Sequence, residues 1–378
     1  MTMARILLLS YRDIEHPEQG GAEVIIRQIY SRLQQRGHRV TFLTCRFEGG
    51  AERTEIDGME VIRVGNLYDF NFHAPCYARK HLEERIDVVV EDLNKLPFYS
   101  PLILRRPVLV NIPHLFGTTV FQQAPFPLAA YVYAQERTIP HVYRECEFQV
   151  LSESTREDLE RRQIRPEQIH VVRSGIDHDF YRPPAANGKP RRKALLYLGR
   201  LKKYKCIEFP ILVLGRLAAR HPEVEYWIAG EGDYRDELER IAREEGVSDR
   251  VKFLGYVDGT PKQELLQNAR VLLYTSPKEG WGLSVIEANA AGMPCVASNS
   301  PGLRESVRDQ ETGFLVPHGD LPALAHRLDQ LLGDEALWQR MSKSGIEWAS
   351  RFSWEQMANE TEALLERSIA RYRNREDR

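Results

Sequence analysis

Glu279 and Glu287 stand on either side of a Gly280-Trp281-Gly282 turn. Carboxylates so placed can accept hydrogen bonds from sugar hydroxyls while the turn between them meets a phosphate. Residues 271–287 read as a short apolar run, a small-residue loop and an amphipathic helix, which delivers Glu279 to a helix N-terminus. Gly280 and Gly282 carry no Cβ, so a ligand can approach the free N–H groups that open the helix at Leu283. Those groups and the helix dipole favour an anion such as a diphosphate. Glu287 falls one turn beyond Leu283 on the same helical face, where it can accept both hydroxyls of a ribose. Two glutamates at this separation also occur by chance, each simply solvated, so the reading depends on what other loops supply.

Two further loops supply cations and close backbone approach. The stretch 189–205 holds eight basic residues and no acid, although the whole chain is nearly neutral with 52 basic and 54 acidic residues. Within it, Gly199-Arg200-Leu201 follows an apolar run, so Arg200 can grip phosphate oxygens with its planar fork, and Lys205 adds a compact charge. A solvated basic face accounts for residues 189–193 and for one of Lys202 and Lys203. Gly20-Gly21 follows the first apolar run and opens a helix carrying Ile25, Ile26, Ile29 and Leu33 on its inner side. The dinucleotide fingerprint Gly-x-Gly-x-x-Gly is absent, which argues against a nicotinamide or flavin enzyme. Gly230-Glu231-Gly232 is another strand-to-helix turn, for which a plain turn and a ligand contact are equally good readings.

These loops need a scaffold, and 378 residues suffice for two domains of about 150 to 200 residues each. Short apolar runs at 6–9, 40–43, 88–90 and 108–110 alternate with helical stretches such as 22–36, giving βαβ units and a parallel, doubly wound sheet. The segment 181–190 combines three prolines with glycine and small residues and reads as a linker. After it the alternation restarts at 194–198, 224–229, 251–254, 271–274 and 294–297. The expected organisation is an N-terminal Rossmann-like domain over 1–180, a linker over 181–193, a second Rossmann-like domain over 194–351 and a helical segment over 352–378. Ligands of such sheets gather outside the carboxyl ends of the strands, where all three loops fall.

The net charge of −2 gives no global reason to bind nucleic acid. The five cysteines Cys45, Cys76, Cys146, Cys206 and Cys295 form no Cys-x-x-Cys pair, which fits a reducing cytoplasm. The apolar run 6–9 is far shorter than a secretory core or a spanning helix, so the chain is expected to be cytoplasmic, either soluble or peripheral at the inner face of a membrane.

In combination and order, the Gly20-Gly21 loop, Gly199-Arg200-Leu201 with Lys205, the 279–287 segment running into Ala290-Ala291-Gly292-Met293-Pro294, and Thr312-Gly313-Phe314-Leu315-Val316-Pro317 resemble a family 4 retaining glycosyltransferase. The resemblance covers nearly the whole chain. It implies the GT-B architecture, two Rossmann-like domains facing each other across a deep interdomain cleft, with the 352–378 segment crossing back to the N-terminal domain. It implies that Arg200 and Lys205 hold the donor diphosphate, Glu279 meets the transferred sugar and Glu287 the ribose, with Gly20, Gly21, Gly230, Gly280, Trp281, Gly282 and Leu283 lining the donor. His114, just past the run 108–110, takes the place of a family histidine beside the donor sugar. Leu115 follows it where many relatives carry an acid, so His114 is assigned to positioning the sugar. Cys206 stands where relatives commonly have glycine after the lysine, which leaves the turn carrying Lys205 open to a different backbone.

The reaction so implied moves a hexosyl unit from a UDP- or GDP-linked sugar to a hydroxyl acceptor with retention, in glycan, glycolipid or cell-envelope polysaccharide synthesis. Asp177-His178-Asp179 looks like the Asp-x-Asp metal site of other sugar transferases but lies at the domain boundary, so neither a metal nor any other cofactor is expected. The acceptor is a sugar, a lipid-linked species or a small molecule. The apolar stretch 115–134, with Phe116, Phe121, Phe126, Tyr131 and Tyr133, and the pairing of Phe98 and Tyr99 with Arg105 and Arg106, fit either membrane docking or ordinary packing, and packing is the favoured reading. A nucleotide-sugar epimerase of the same fold and a non-catalytic nucleotide-sugar-binding subunit are the rival functions.

Overall fold

The apolar runs become two parallel sheets, each the centre of its own domain. A computed structural model describes residues 3–94, 96–122, 124–184 and 191–376. It divides into a first unit, Met1–Gly175 with Trp354–Arg378, and a second, Ile176–Ser353. Residues 185–190 of the expected linker lie outside the described residues.

In the first unit the strands are β1 (Arg5–Leu9), β2 (Arg39–Cys45), β3 (Arg53–Ile56), β4 (Met59–Val64), β5 (Val88–Asp92), β6 (Val108–Ile112), β7 (Glu147–Val150) and β8 (Ile169–Val171). They are ordered β3-β4-β2-β1-β5-β6-β7-β8, all parallel except the β3–β4 hairpin. That hairpin turns at Asp57-Gly58, both with positive φ (51° and 80°), the twist a two-residue hairpin favours. Strands β5 and β6 are buried at every position, as parallel strands covered on both faces must be. The helix Gly21–Gln35 buries Ile25, Ile26, Ile29 and Leu33, the inner face the sequence predicts. The tail forms a single helix, Trp354–Glu376. Arg32 reaches Glu355 at 2.9 Å and Arg36 reaches Glu362 at 2.6 Å, tying it to Gly21–Gln35, while Arg371 meets the buried Glu147 of β7 at 2.9 Å.

The second unit holds β9 (Ala194–Leu198), β10 (Glu225–Ala229), β11 (Val251–Gly255), β12 (Val271–Tyr274), β13 (Cys295–Ser298) and β14 (Gly313–Val316), all parallel and ordered β11-β10-β9-β12-β13-β14. Chain direction reverses its spread between β9 and β12, the switch point at which such sheets open a ligand crevice. Both expected domain boundaries shift. Segment 180–182 belongs to the second unit because Gln263 bonds the Phe180 carbonyl, Lys262 the Tyr181 hydroxyl and Gln267 the Arg182 carbonyl. Phe352 stays there as well, edge-on to Trp281 and Trp348 at ring separations of 5.4 and 4.9 Å.

Candidate functional site

The loop leaving β9 is locked by glycines. A Cβ on Gly230, whose φ is +145°, would lie 1.8 Å from the Gly199 carbonyl oxygen, and one on Gly232 would lie 2.1 Å from that of Leu201. Only glycine lets the two strand-end loops press together, joined by bonds from Gly199 N–H to Ala229 O (3.0 Å) and Leu201 N–H to Glu231 O (2.8 Å). Gly230 therefore has a packing reason to be glycine. The buried Tyr197 hydroxyl donates to the Arg200 carbonyl at 3.0 Å, so the Arg200 backbone is fixed while its side chain is exposed. Among the described residues that guanidinium has no hydrogen-bond or ion-pair partner.

Lys205 ends the short turn Lys203–Lys205, and Cys206 follows in the left-handed region (φ 52°, ψ 42°). The turn thus adopts the conformation glycine favours, and the cysteine side chain bears a strain of roughly 1 kcal/mol. Thr275, just past β12, donates to the Cys206 carbonyl at 2.7 Å and fastens this turn to the neighbouring strand end. There Lys205 Nζ meets Glu279 Oε1 at 2.6 Å, with both side chains largely buried, and the Ser276 hydroxyl donates to the same oxygen at 2.6 Å. Burial pushes the Lys205 ammonium down, but the Glu279 charge and the nearby Tyr204 and Tyr274 outweigh it, and its pKa is raised. An ammonium has three donors, so Lys205 keeps capacity for a further anion.

Glu279 is itself pinned, its N–H bonded to the Pro301 carbonyl at 3.0 Å. Gly302 (φ +79°) passes so close that a Cβ there would lie 2.2 Å from the Glu279 carbonyl oxygen. The helix Leu283–Ala290 then starts from Gly282, whose φ of +92° L side chains seldom adopt. Tyr274 donates to the Leu198 carbonyl at 2.6 Å and also approaches the Ser284 hydroxyl at 3.3 Å, bracing the helix start against β9. Trp281, expected among the residues that line the donor, turns its ring into the core. Its side chain is only 2% exposed and packs on Phe352, leaving its backbone alone for a ligand. Glu287, expected on an accessible face, is buried; its Oε1 accepts from Lys262 Nζ at 2.8 Å, and Lys262 also reaches the Tyr181 hydroxyl at 2.9 Å. Neither Lys262 nor Tyr181 stands out in the sequence.

Gly20, Gly21 and His114 belong to the first domain. Gly20 N–H donates to Glu23 Oε2 at 2.7 Å, a capping arrangement that starts the helix. A Cβ on Gly21 would touch nothing within 4 Å, so the fold itself does not demand glycine there, unlike at Gly230 or Gly302. The long loop before it is held by buried Arg63, which meets Asp13 at 2.7 Å and Glu15 at 2.6 Å. His114, two residues past β6, is half-buried with its ring 5.2 Å from that of Phe116. The packing expected of the stretch 115–134 forms in part: Leu115, Val120 and Ala129 are buried, whereas Phe121, Phe126, Leu128 and Tyr131 are exposed. Phe98 is fully buried in the core.

Asp177 serves its own turn, accepting the N–H groups of Asp179 (3.1 Å) and Phe180 (3.0 Å), and His178 bonds the Phe352 carbonyl at 2.8 Å. Among the described residues no group of three His, Cys, Asp or Glu side chains is arranged to hold a metal ion, and no helix is long and apolar enough to cross a membrane.

The second domain thus gathers a buried Lys205–Glu279 pair, a free Arg200 and a tethered Glu287 around its switch point. Comparison with known proteins gives the family. The model for Glycosyltransferase Family 4 matches residues 19–180 and that for Glycosyl transferases group 1 matches residues 182–348. A glycogen synthase of Mycobacterium tuberculosis is 37% identical over 197 residues, 51% of this chain and 47% of that protein, so this match spans about half the relative's length. An uncharacterised glycosyltransferase of Methanocaldococcus jannaschii is 25% identical across 92% of this chain and 95% of its own. The fold matches that of a sucrose-phosphate synthase from Thermosynechococcus elongatus (TM-score 0.81, 23% identity, 97% and 99% of the two chains). It also matches Anabaena HepE in complex with UDP and glucose (TM-score 0.79, 19% identity, 96% and 99%). The chain belongs to the family 4, group 1 glycosyltransferases, with the two parallel-sheet domains of the GT-B fold.

Proposed function

We propose that the chain transfers a hexosyl unit from a UDP- or GDP-linked sugar to a hydroxyl acceptor with retention of configuration and without a metal. The observation that carries this reading is the Lys205–Glu279 pair at the switch point, with Arg200 on the same loop as Lys205, exposed and unpartnered among the described residues. As the bond from sugar to diphosphate loosens, negative charge grows on the leaving group. Lys205 is held in place by Glu279 and Arg200 extends from a fixed backbone, so both cations can stabilise that charge. Glu279, on the same ammonium, accepts hydroxyls of the transferred sugar, and Glu287 meets the ribose. A donor phosphate oxygen takes the acceptor proton as the hydroxyl attacks from the leaving-group face. On the resemblance, Gly20, Gly21 and His114 serve the donor too, and the first domain receives the acceptor. Exposed Phe121, Phe126, Leu128 and Tyr131 suit an acceptor with a lipid part, and a peripheral membrane contact, in glycolipid or envelope-polysaccharide synthesis.

The test is nucleoside diphosphate release from UDP- and GDP-sugars, with and without hydroxyl acceptors. A transferase releases it on acceptor addition, an epimerase converts its donor without acceptor, and a binding subunit turns over nothing. Arg200→Ala should lower turnover by about 10²- to 10³-fold. Because this side chain is exposed and has no partner among the described residues, the melting temperature should not move. Full activity in that variant would remove Arg200 from the mechanism.

A further inference from the structure

The Glu287 carboxylate is buried, with the Lys262 ammonium on one oxygen and the Tyr181 hydroxyl nearby. Oε1 receives Lys262 at 2.8 Å, whereas Oε2 is buried with no hydrogen-bond partner among the described residues. Such a desolvated acceptor is costly unless something donates to it, and a ligand hydroxyl would supply that donor. Three elements converge on the charge: Lys262 from the helix Gly259–Asn268, Glu287 from Leu283–Ala290, and Tyr181 from the segment entering the domain. Lys262 Nζ also lies 5.2 Å from the Tyr181 ring centroid. Burial pushes the Lys262 ammonium down, but Glu287 and Tyr181 outweigh it, so it stays charged.

We propose that Lys262 is a positioning residue for the donor nucleotide: it occupies Glu287 Oε1 and orients the carboxylate so that Oε2 alone accepts a single ribose hydroxyl. This rests on the donor reading of Glu287 above. Glutamate has three rotatable side-chain bonds; fixing one oxygen on an ammonium held by Tyr181 removes that freedom before the nucleotide arrives. The site then distinguishes a ribonucleotide from its deoxy analogue through one charge-assisted bond.

The experiment is calorimetric titration of UDP, GDP and ADP, and of their 2′-deoxy and 3′-deoxy counterparts, into wild type, Lys262→Met and Lys262→Arg. Wild type should bind the ribonucleotide tighter than one of the two deoxy analogues by about 10-fold or more. In Lys262→Met the ratio should fall below about 3-fold, as the carboxylate loses its orientation. In Lys262→Arg the charge is kept, but a guanidinium fork fills both oxygens, so the fold should persist and the ratio should again be lost. A merely structural cation would leave the ratio intact in Lys262→Arg. Retention of the wild-type ratio in the folded variants would overturn the role of Lys262 alone. Nucleotide binding by wild type with no ribose preference would overturn the ribose role of Glu287 itself, and this inference with it.

Discussion

Replacing Lys205 by Met separates what the Lys205–Glu279 pair does for the fold from what it does for chemistry. At 2.6 Å, Coulomb's law with an effective dielectric constant of about 20 gives a gross attraction of about 6 kcal/mol. Desolvation of two largely buried groups takes back much of that, and Ser276 continues to donate to Glu279 when the ammonium is gone. The net loss for Lys205→Met should be about 3 kcal/mol, the low end for breaking a buried pair by removing one partner. For a domain of this size that is a fall in melting temperature of about 6 to 12 °C. Adding Glu279→Gln removes the stranded carboxylate, so the double variant should regain about 2 kcal/mol. Turnover behaves differently. Lys205→Met should lose about 10²- to 10³-fold in kcat, and the double variant should recover none of it, because the cation at the diphosphate is still missing. Thermal and urea unfolding by circular dichroism give the double-mutant cycle, and nucleoside diphosphate release gives the rate. A coupling energy below about 0.5 kcal/mol would refute the pair as a buried one, and recovery of turnover in the double variant would refute the assignment of Lys205 to the diphosphate.

Two further substitutions test the scaffold. Burial favours the neutral form of Glu147, but His170, Arg371 and Arg367 outweigh it and hold this carboxyl down to about 2, against an ordinary value of 4.5. Its stabilising share is therefore full above pH 4.5 and lost as pH falls toward 2. Glu147→Gln should lower the melting temperature at neutral pH and flatten its fall across that acid window; an unchanged acid profile would remove Glu147 as the tether of the C-terminal helix. Gly230→Ala places a Cβ 1.8 Å from the Gly199 carbonyl at a φ of +145°. It should cost at least ~3 kcal/mol in urea unfolding, and a native-like midpoint would contradict the close approach of the two loops.

In the second sheet β9 and β12 were legible because they are short, wholly buried apolar runs, the pattern of parallel strands covered on both faces. The β3–β4 hairpin was missed since its strands carry Arg53, Glu55, Glu60 and Arg63. Strands β7 and β8 were missed for a related reason. Glu147, Gln149 and His170 look like surface residues, and Glu147 is buried only because Arg367 and Arg371 arrive from the far end of the chain. Arg200, Lys205 and Glu279 were readable because each follows a strand end on a glycine or small-residue loop. Lys262 was not: Gly-Thr-Pro-Lys-Gln-Glu reads as a solvated helix start, and its partners Glu287 and Tyr181 lie 25 and 81 residues away. Tyr181 was hidden in a proline-rich segment taken as linker. That the Trp281 ring fills the core, leaving only its backbone toward a ligand, does not show in a Gly-Trp-Gly turn.

On the proposed function, the second domain carries a nucleoside diphosphate site built on Arg200, Lys205, Glu279 and Glu287. Calorimetric titration of UDP, GDP and ADP into the wild-type protein, repeated with Arg200→Ala, addresses it most directly. At least one of the three should bind with an affinity in the roughly micromolar to millimolar range of enzyme substrates, and should bind the folded Arg200→Ala variant distinctly more weakly. Absence of binding by all three to folded wild-type protein, or undiminished binding by Arg200→Ala, would contradict it.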